Sequence, residues 1–170
     1  DAVDNELIGR NPCIRKHAET VNKVRKSRRH APRKVTADEL AAVLEVLAPS
    51  TRLIVQVLAH TGIRLGELRA LRRFDVDLEA GTIHVRHGVT GDGATLSREP
   101  QPKTPAGVRT VQIDNPELLD ALARHIDGLP VTGAGALVFP SPSNPYKHFS
   151  ENTIRRNIKR ACEKAQVKHF

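Results

Sequence analysis

Thr61-Gly62-Ile63-Arg64-Leu65-Gly66-Glu67-Leu68-Arg69-Ala70-Leu71 reads as the end of one helix, a glycine-bounded turn and the start of another. The apolar stretch before it, Leu53-Ile54-Val55-Gln56-Val57-Leu58-Ala59, is expected to bury and to hold that turn rigid. Gly62 suits a helix C-terminal turn, where a residue without Cβ enters the left-handed region at little cost. Leu65, Leu68 and Leu71 then fall on one side of a short helix. Arg64 stands at its start. An arginine fixed on a packed scaffold can grip a phosphate through two parallel hydrogen bonds. The same pattern fits a helix-connecting turn with a surface arginine, so the rest of the chain has to decide.

Working outward, Thr36-Ala37-Asp38-Glu39 has the Thr-x-x-Glu form of a capping box. Leu40, Val43, Leu44 and Leu47 follow at helical spacing. Pro49-Ser50 is expected to break that helix, with a second over 51–60. Beyond the central stretch the period changes. Thr82-Ile83-His84-Val85-Arg86 and Val108-Arg109-Thr110-Val111-Gln112-Ile113 alternate and read as strands. Gly88, Gly91, Asp92 and Gly93 read as a turn-rich interval, and Gln101-Pro102-Lys103-Thr104-Pro105-Ala106-Gly107 as a hairpin tip or short loop. Asn115-Pro116 opens another helix with Leu118, Leu119, Leu122 and Ile126 inward. Leu137-Val138-Phe139 is a brief buried segment. Ser150 reads as the N-cap of a long helix. Its apolar stripe is Ile154, Ile158, Ala161, Cys162 and Ala165, and its other face carries Arg155, Arg156, Lys159, Arg160 and Lys164. The expected class is α+β: a mostly helical domain with a small antiparallel sheet of two or three strands.

Charge narrows the partners. The 170 residues carry a formal net charge of +8, and the pI is near 10.0. Such a balance points to a polyanion, with nucleic acid ahead of an anionic membrane. No long apolar span is present, and the N-terminus Asp-Ala-Val-Asp-Asn-Glu is too polar for a secretory signal. The core must be aliphatic, since there are four Phe, one Tyr and no Trp. Cys13 and Cys162 stand alone, which fits reduced thiols in a cytosolic protein. The high Ala, Arg and Val content points to a GC-rich bacterial host or its phage, and so to a bacterial cytoplasm. There is no Met, even at position 1, so the chain is expected to be cut from a longer polypeptide.

Residues 23–34 carry Lys23, Arg25, Lys26, Arg28, Arg29, Arg33 and Lys34 with no acid among them. A run of that density repels itself and extends until it meets a polyanion. It reads as a DNA-contacting linker, or otherwise as a solvated connector. Residues 23–35 are expected to be the linker and 36–170 the folded domain, while 1–22 are mixed in charge, with Asn11-Pro12 marking a break after a short helical stretch.

Three features now stand in order: the arginine in Thr-Gly-Ile-Arg-Leu-Gly-Glu-Leu, the lysine in Pro-Lys-Thr-Pro-Ala-Gly-Val-Arg-Thr-Val-Gln-Ile, and the basic helix after Ser150. This order resembles the tyrosine recombinases, the phage integrase family of site-specific DNA recombinases, over about residues 36–170. The resemblance implies that residues 1–22 end a core-binding domain. It implies that Arg64 neutralises non-bridging oxygens of the scissile phosphate. It implies that Lys103 protonates the departing 5′-hydroxyl. Glu67, one helical turn from Arg64, would brace the site rather than move protons. It further implies double-stranded DNA as the form of nucleic acid bound, and strand exchange through a 3′-phosphotyrosine link, without metal or cofactor, by four protomers on two duplexes.

The chain also departs from the family pattern. The His-x-x-Arg motif, a later His or Trp and the nucleophilic tyrosine should follow the basic helix, yet the sequence stops at Lys168-His169-Phe170. His169 has no arginine three residues on. Tyr146 precedes the basic helix and reads as a loop residue packed on the surface, not as the nucleophile. His84 and His87 are poorly spaced for a shared metal, and His125 reads as a surface or boundary residue. A DNA-binding piece without catalysis, a type IB topoisomerase-like strand transferase and, more remotely, a helix-turn-helix regulator are the competing readings.

Overall fold

The computed structural model describes residues 33–92, 97–99 and 107–169. Val35–His169 forms one compact unit. Its helices are α1 (Ala37–Val46), α2 (Pro49–Thr61), α3 (Leu65–Ala70), α4 (Pro116–Asp127) and α5 (Glu151–Lys164). Its strands are β1 (Val76–Asp77), β2 (Thr82–Val85), β3 (Gly88–Thr90), β4 (Ser97–Glu99), β5 (Arg109–Gln112), β6 (Pro140–Ser141) and β7 (Asn144–His148). A three-stranded antiparallel sheet runs β1-β2-β5, and two small hairpins pair β3 with β4 and β6 with β7. The α+β expectation holds.

The helix starts follow their caps. Thr36 Oγ accepts the Glu39 amide and Glu39 returns a carboxylate to the Thr36 amide, closing the capping box of α1. Asn115 and Ser150 cap α4 and α5 through the amides of Leu118 and Thr153. Helix α2 begins two residues earlier than expected. Pro49 is its first residue, where the missing N–H is no loss and the fixed φ suits a helix. Gly62 ends α2 at φ +64° and donates to the Leu58 carbonyl at 3.0 Å.

A larger apolar cluster gathers Ile54, Val57, Leu68, Ile83, Val85, Leu122, Phe139 and Ile154 between α2, α3, α4, α5 and the sheet. A smaller one joins Val43, Leu47 and Val55 to Ala161 and Cys162 of α5. Leu137, Val138 and Phe139 are buried as expected. Asn157 of α5 donates to the fully buried Thr51 of α2 at 3.1 Å. These contacts turn the apolar stripe of α5 inward and leave Arg155, Arg156, Lys159, Arg160 and Lys164 exposed.

Two readings are corrected. Gly88–Thr90 is not only turn: it pairs with Ser97–Glu99 and lies on α3. Tyr146 does not pack on the surface from a loop. It stands on strand β7 and is 79% exposed. No helix among the described residues is long and apolar enough to cross a membrane.

Candidate functional site

Arg64 is the N-cap of α3, with extended backbone at φ −74°, ψ 150°. The helix starts there because Glu67, three residues in, folds back and accepts the Arg64 amide at 2.8 Å. This satisfies one of the four N–H groups that every helix start leaves unpaired. The other Glu67 oxygen accepts Arg64 Nη1 at 2.9 Å. Arg109, arriving on β5, donates Nη2 and Nη1 to the same carboxylate at 2.8 and 3.2 Å. One carboxylate therefore joins the start of α3 to the sheet and gathers two guanidiniums.

Glu67 is nine-tenths buried. Burial alone pushes its carboxyl up, but the Arg109 hydrogen bonds, the Arg64 amide and the Arg64 side chain outweigh that and bring it from 4.5 to about 2. Glu67 in turn raises Arg109 above its ordinary value. At neutral pH Glu67 is an ionised acceptor and not a proton carrier. With two cations and one anion the cluster keeps one net positive charge.

The side chain of Arg64 is 79% exposed, whereas that of Arg109 is 31% exposed. The expected rigidity of Arg64 thus lies in its backbone and in one hydrogen bond, not in burial. Only Nη1 is engaged among the described residues, so the other guanidinium N–H groups face outward, available to an anion. Helix α3 itself lies hard against β3: a Cβ built on Gly66 would come within 2.6 Å of the Val89 carbonyl oxygen.

Arg109 had a legible signal. It alternates with Val111 on the half-buried side of β5, opposite Val85 and Ile83 of β2. A charge in an inward register needs a partner. Arg69 was missed. It lies four residues after Leu65 on the inward side of α3 and is fully buried. Its Nε donates to the Phe149 carbonyl at 2.7 Å, Nη1 to Glu151 at 3.2 Å, and Nη2 to the Gly91 carbonyl and Asp92 at 3.0 and 2.7 Å. Asp92 also accepts the Ser150 hydroxyl and the Glu151 and Asn152 amides at 2.8–2.9 Å. Burial pushes Asp92 up, but those amides, the hydroxyl and Arg69 together hold it below the usual aspartate value.

The remaining sequence candidates divide. Lys103 lies outside the described residues, as do Lys23, Arg25, Lys26, Arg28 and Arg29. Arg33 and Lys34 are exposed. On α5, Arg155 is engaged with Glu151 at 2.7 Å, while Arg156, Lys159 and Arg160 make no ion pair among the described residues. His84 contacts the Thr110 hydroxyl at 2.9 Å. His125 is half-buried, contacts the Val138 carbonyl and stacks on Phe139 with centroids 5.2 Å apart.

The sequence signature of the phage integrase family matches residues 33–170. The chain belongs to that family. It is 32% identical over 166 residues to a protein that carries the name prophage phiRv2 integrase in Mycobacterium tuberculosis, a match covering 96% of this chain and 42% of that one. Over 63 residues it is 41% identical to tyrosine recombinase XerA of Thermococcus kodakarensis, covering 35% of this chain and 22% of that one. A crystal structure of XerA recombinase superposes with a TM-score of 0.61 at 27% identity, over 82% of this chain and 46% of that one. The Tn1549 transposon integrase, solved with a circular intermediate DNA, reaches a TM-score of 0.71 at 20% identity over 99% of this chain and 56% of that one, which supports the fold. This family member thus spans 42% of the length of the first curated relative it matches.

Proposed function

We propose that this chain is the phosphate-gripping part of a site-specific DNA recombinase that cuts and rejoins strands through a 3′-phosphotyrosine link. In that reaction a tyrosine oxygen attacks the phosphorus, the bond to the 5′-oxygen breaks, and that oxygen leaves as a hydroxyl. Negative charge builds on the non-bridging oxygens, and fixed cations stabilise it. Arg64 supplies that charge. Lys103 supplies the proton for the leaving oxygen. Glu67 and Arg109 brace Arg64. The exposed cations of α5, with Lys23, Arg25, Lys26, Arg28, Arg29, Arg33 and Lys34, hold the DNA backbone. Residues 1–22 end an upstream domain and 23–35 link it to the catalytic domain. The assembly is four protomers on two duplexes, working in the bacterial cytoplasm.

The observation that carries this reading is the Glu67 cluster. It fixes the backbone of Arg64 and aims most of its guanidinium outward beside a second arginine. The test uses the full-length protein on a nicked suicide substrate carrying its attachment site. A covalent adduct that survives denaturation is expected, slowed about 10²–10³-fold in Arg64→Ala and lost or strongly slowed in Lys103→Ala. DNA binding without any adduct would favour a non-catalytic binding module. Adduct formation at full rate in Arg64→Ala would overturn the assignment.

A further inference from the structure

The geometry points to Arg69 and Asp92 as a positioning pair that sets the DNA-gripping helix α5 in register with Arg64. The inference rests on the reading of Arg64 and α5 given above. Arg69 lies five residues along from Arg64 on a helix of only six residues, so α3 cannot shift without moving both. Its guanidinium, fully buried, joins three segments: α3 itself, Gly91-Asp92 just after β3, and Phe149 and Glu151 at the start of α5. His148 Nδ1 adds a contact of 2.8 Å to the Arg69 carbonyl. Asp92 completes the junction by taking the Ser150 hydroxyl and two α5 amides. That carboxylate already occupies the helix start where a phosphate would otherwise be drawn. Helix α5 is therefore left to hold DNA by its exposed flank.

Stability alone does not call for a charged pair at this place. The desolvation cost of a buried ion pair roughly cancels its attraction, and an apolar side chain of similar volume often serves as well. What a fork of donors adds is register among three segments. Phosphoryl chemistry is sensitive to that register, since a misplacement of ~1 Å can cost about 100-fold in rate. The pair should thus act on cleavage rate and leave the electrostatic grip alone. Asp92→Asn is the sharper probe. Both carboxylate oxygens accept from donors, so an amide nitrogen meets a donor whichever way it turns.

The experiment takes the full-length protein as wild type, Asp92→Asn, Arg69→Met and Arg64→Ala. It measures duplex affinity across a salt series and single-turnover adduct formation on the nicked substrate. Asp92→Asn and Arg69→Met are expected to bind within about twofold of wild type, with the same salt slope, and to cleave about 10–100-fold more slowly. Should Arg69→Met fail to fold, Asp92→Asn decides alone. Full-rate cleavage by Asp92→Asn, or affinity falling in step with rate, overturns the positioning role. Arg64→Ala separates the two levels. If it cleaves poorly while Asp92→Asn cleaves normally, only the positioning fails. If it too cleaves at full rate, the proposed function fails and takes the pair with it.

Discussion

Glu67 meets Arg64 on its own helix and Arg109 across 42 positions of sequence, and only the first half of that arrangement was readable. The Arg-x-x-Glu spacing announces a helix start with a bracing carboxylate. The Arg109 contact depends on where β5 docks, which no local pattern states. The carboxyl sits at about 2 because the arginine and amide hydrogen bonds outweigh burial. A depressed folded-state pKa adds stability above the unfolded value of 4.5, and that stability is lost as pH falls toward 2. Its size at neutral pH is on the order of 2–3 kcal/mol. Glu67→Gln should therefore be less stable than wild type at pH 7. The two should converge between about pH 5 and pH 2, where wild type alone loses this contribution. Denaturant unfolding at a series of pH values measures the gap, and a gap independent of pH would show that the charge is not what Glu67 contributes.

Helix α3 is too short to persist by itself, and two glycines, Gly62 before it and Gly66 in its first turn, hold it by different physics. Gly62 meets nothing within 4 Å but sits at φ +64°, so its requirement is conformational. Gly66 has ordinary helical dihedrals, and its requirement is space: an added Cβ would press to 2.6 Å on the Val89 carbonyl oxygen, a backbone atom that cannot swing away. In Gly66→Ala the helix gains about 1 kcal/mol of propensity, while overpacking costs about 1–3 kcal/mol. A contact that close on backbone puts the cost at the upper end, so a net loss of about 1–2 kcal/mol is expected from the denaturant midpoint. A variant as stable as wild type would mean that α3 and β3 yield more than the packing implies. The other elements show where periodicity suffices. Helices α1, α4 and α5 were legible because long apolar stripes coincide with caps at Thr36, Asn115 and Ser150. The start of α2 was not, because Pro49 serves equally as a helix breaker and as a first helical residue. The β3–β4 and β6–β7 hairpins have strands of only two to five residues, with Gly in β3 and Pro in β6 and β7, so alternation has too little length to announce them, and β3 further owes its place to packing on α3.

The formal charge of +8 is a property of the chain, and its use depends on which cations are already engaged. Arg69 and Arg109 are committed to Asp92, Glu151 and Glu67, and Arg155 to Glu151. Arg156, Lys159 and Arg160 project from α5 away from the Val43–Cys162 cluster and are exposed. If they neutralise phosphates, each releases condensed counterions when DNA binds, and the slope of log K against log salt falls by about 0.9 for each one removed. Arg156→Ala and Lys159→Ala, singly and together, should therefore weaken binding to specific and unrelated duplexes alike. The slope should drop by about 1 and then about 2. Arg155→Ala should lower it less, because that guanidinium is held at 2.7 Å by its own helix. Titrations of labelled duplex at four or five salt concentrations are sufficient. A slope unchanged in the double variant would return the α5 face to solvent. The polyanion contact would then have to come from the basic residues of 23–34.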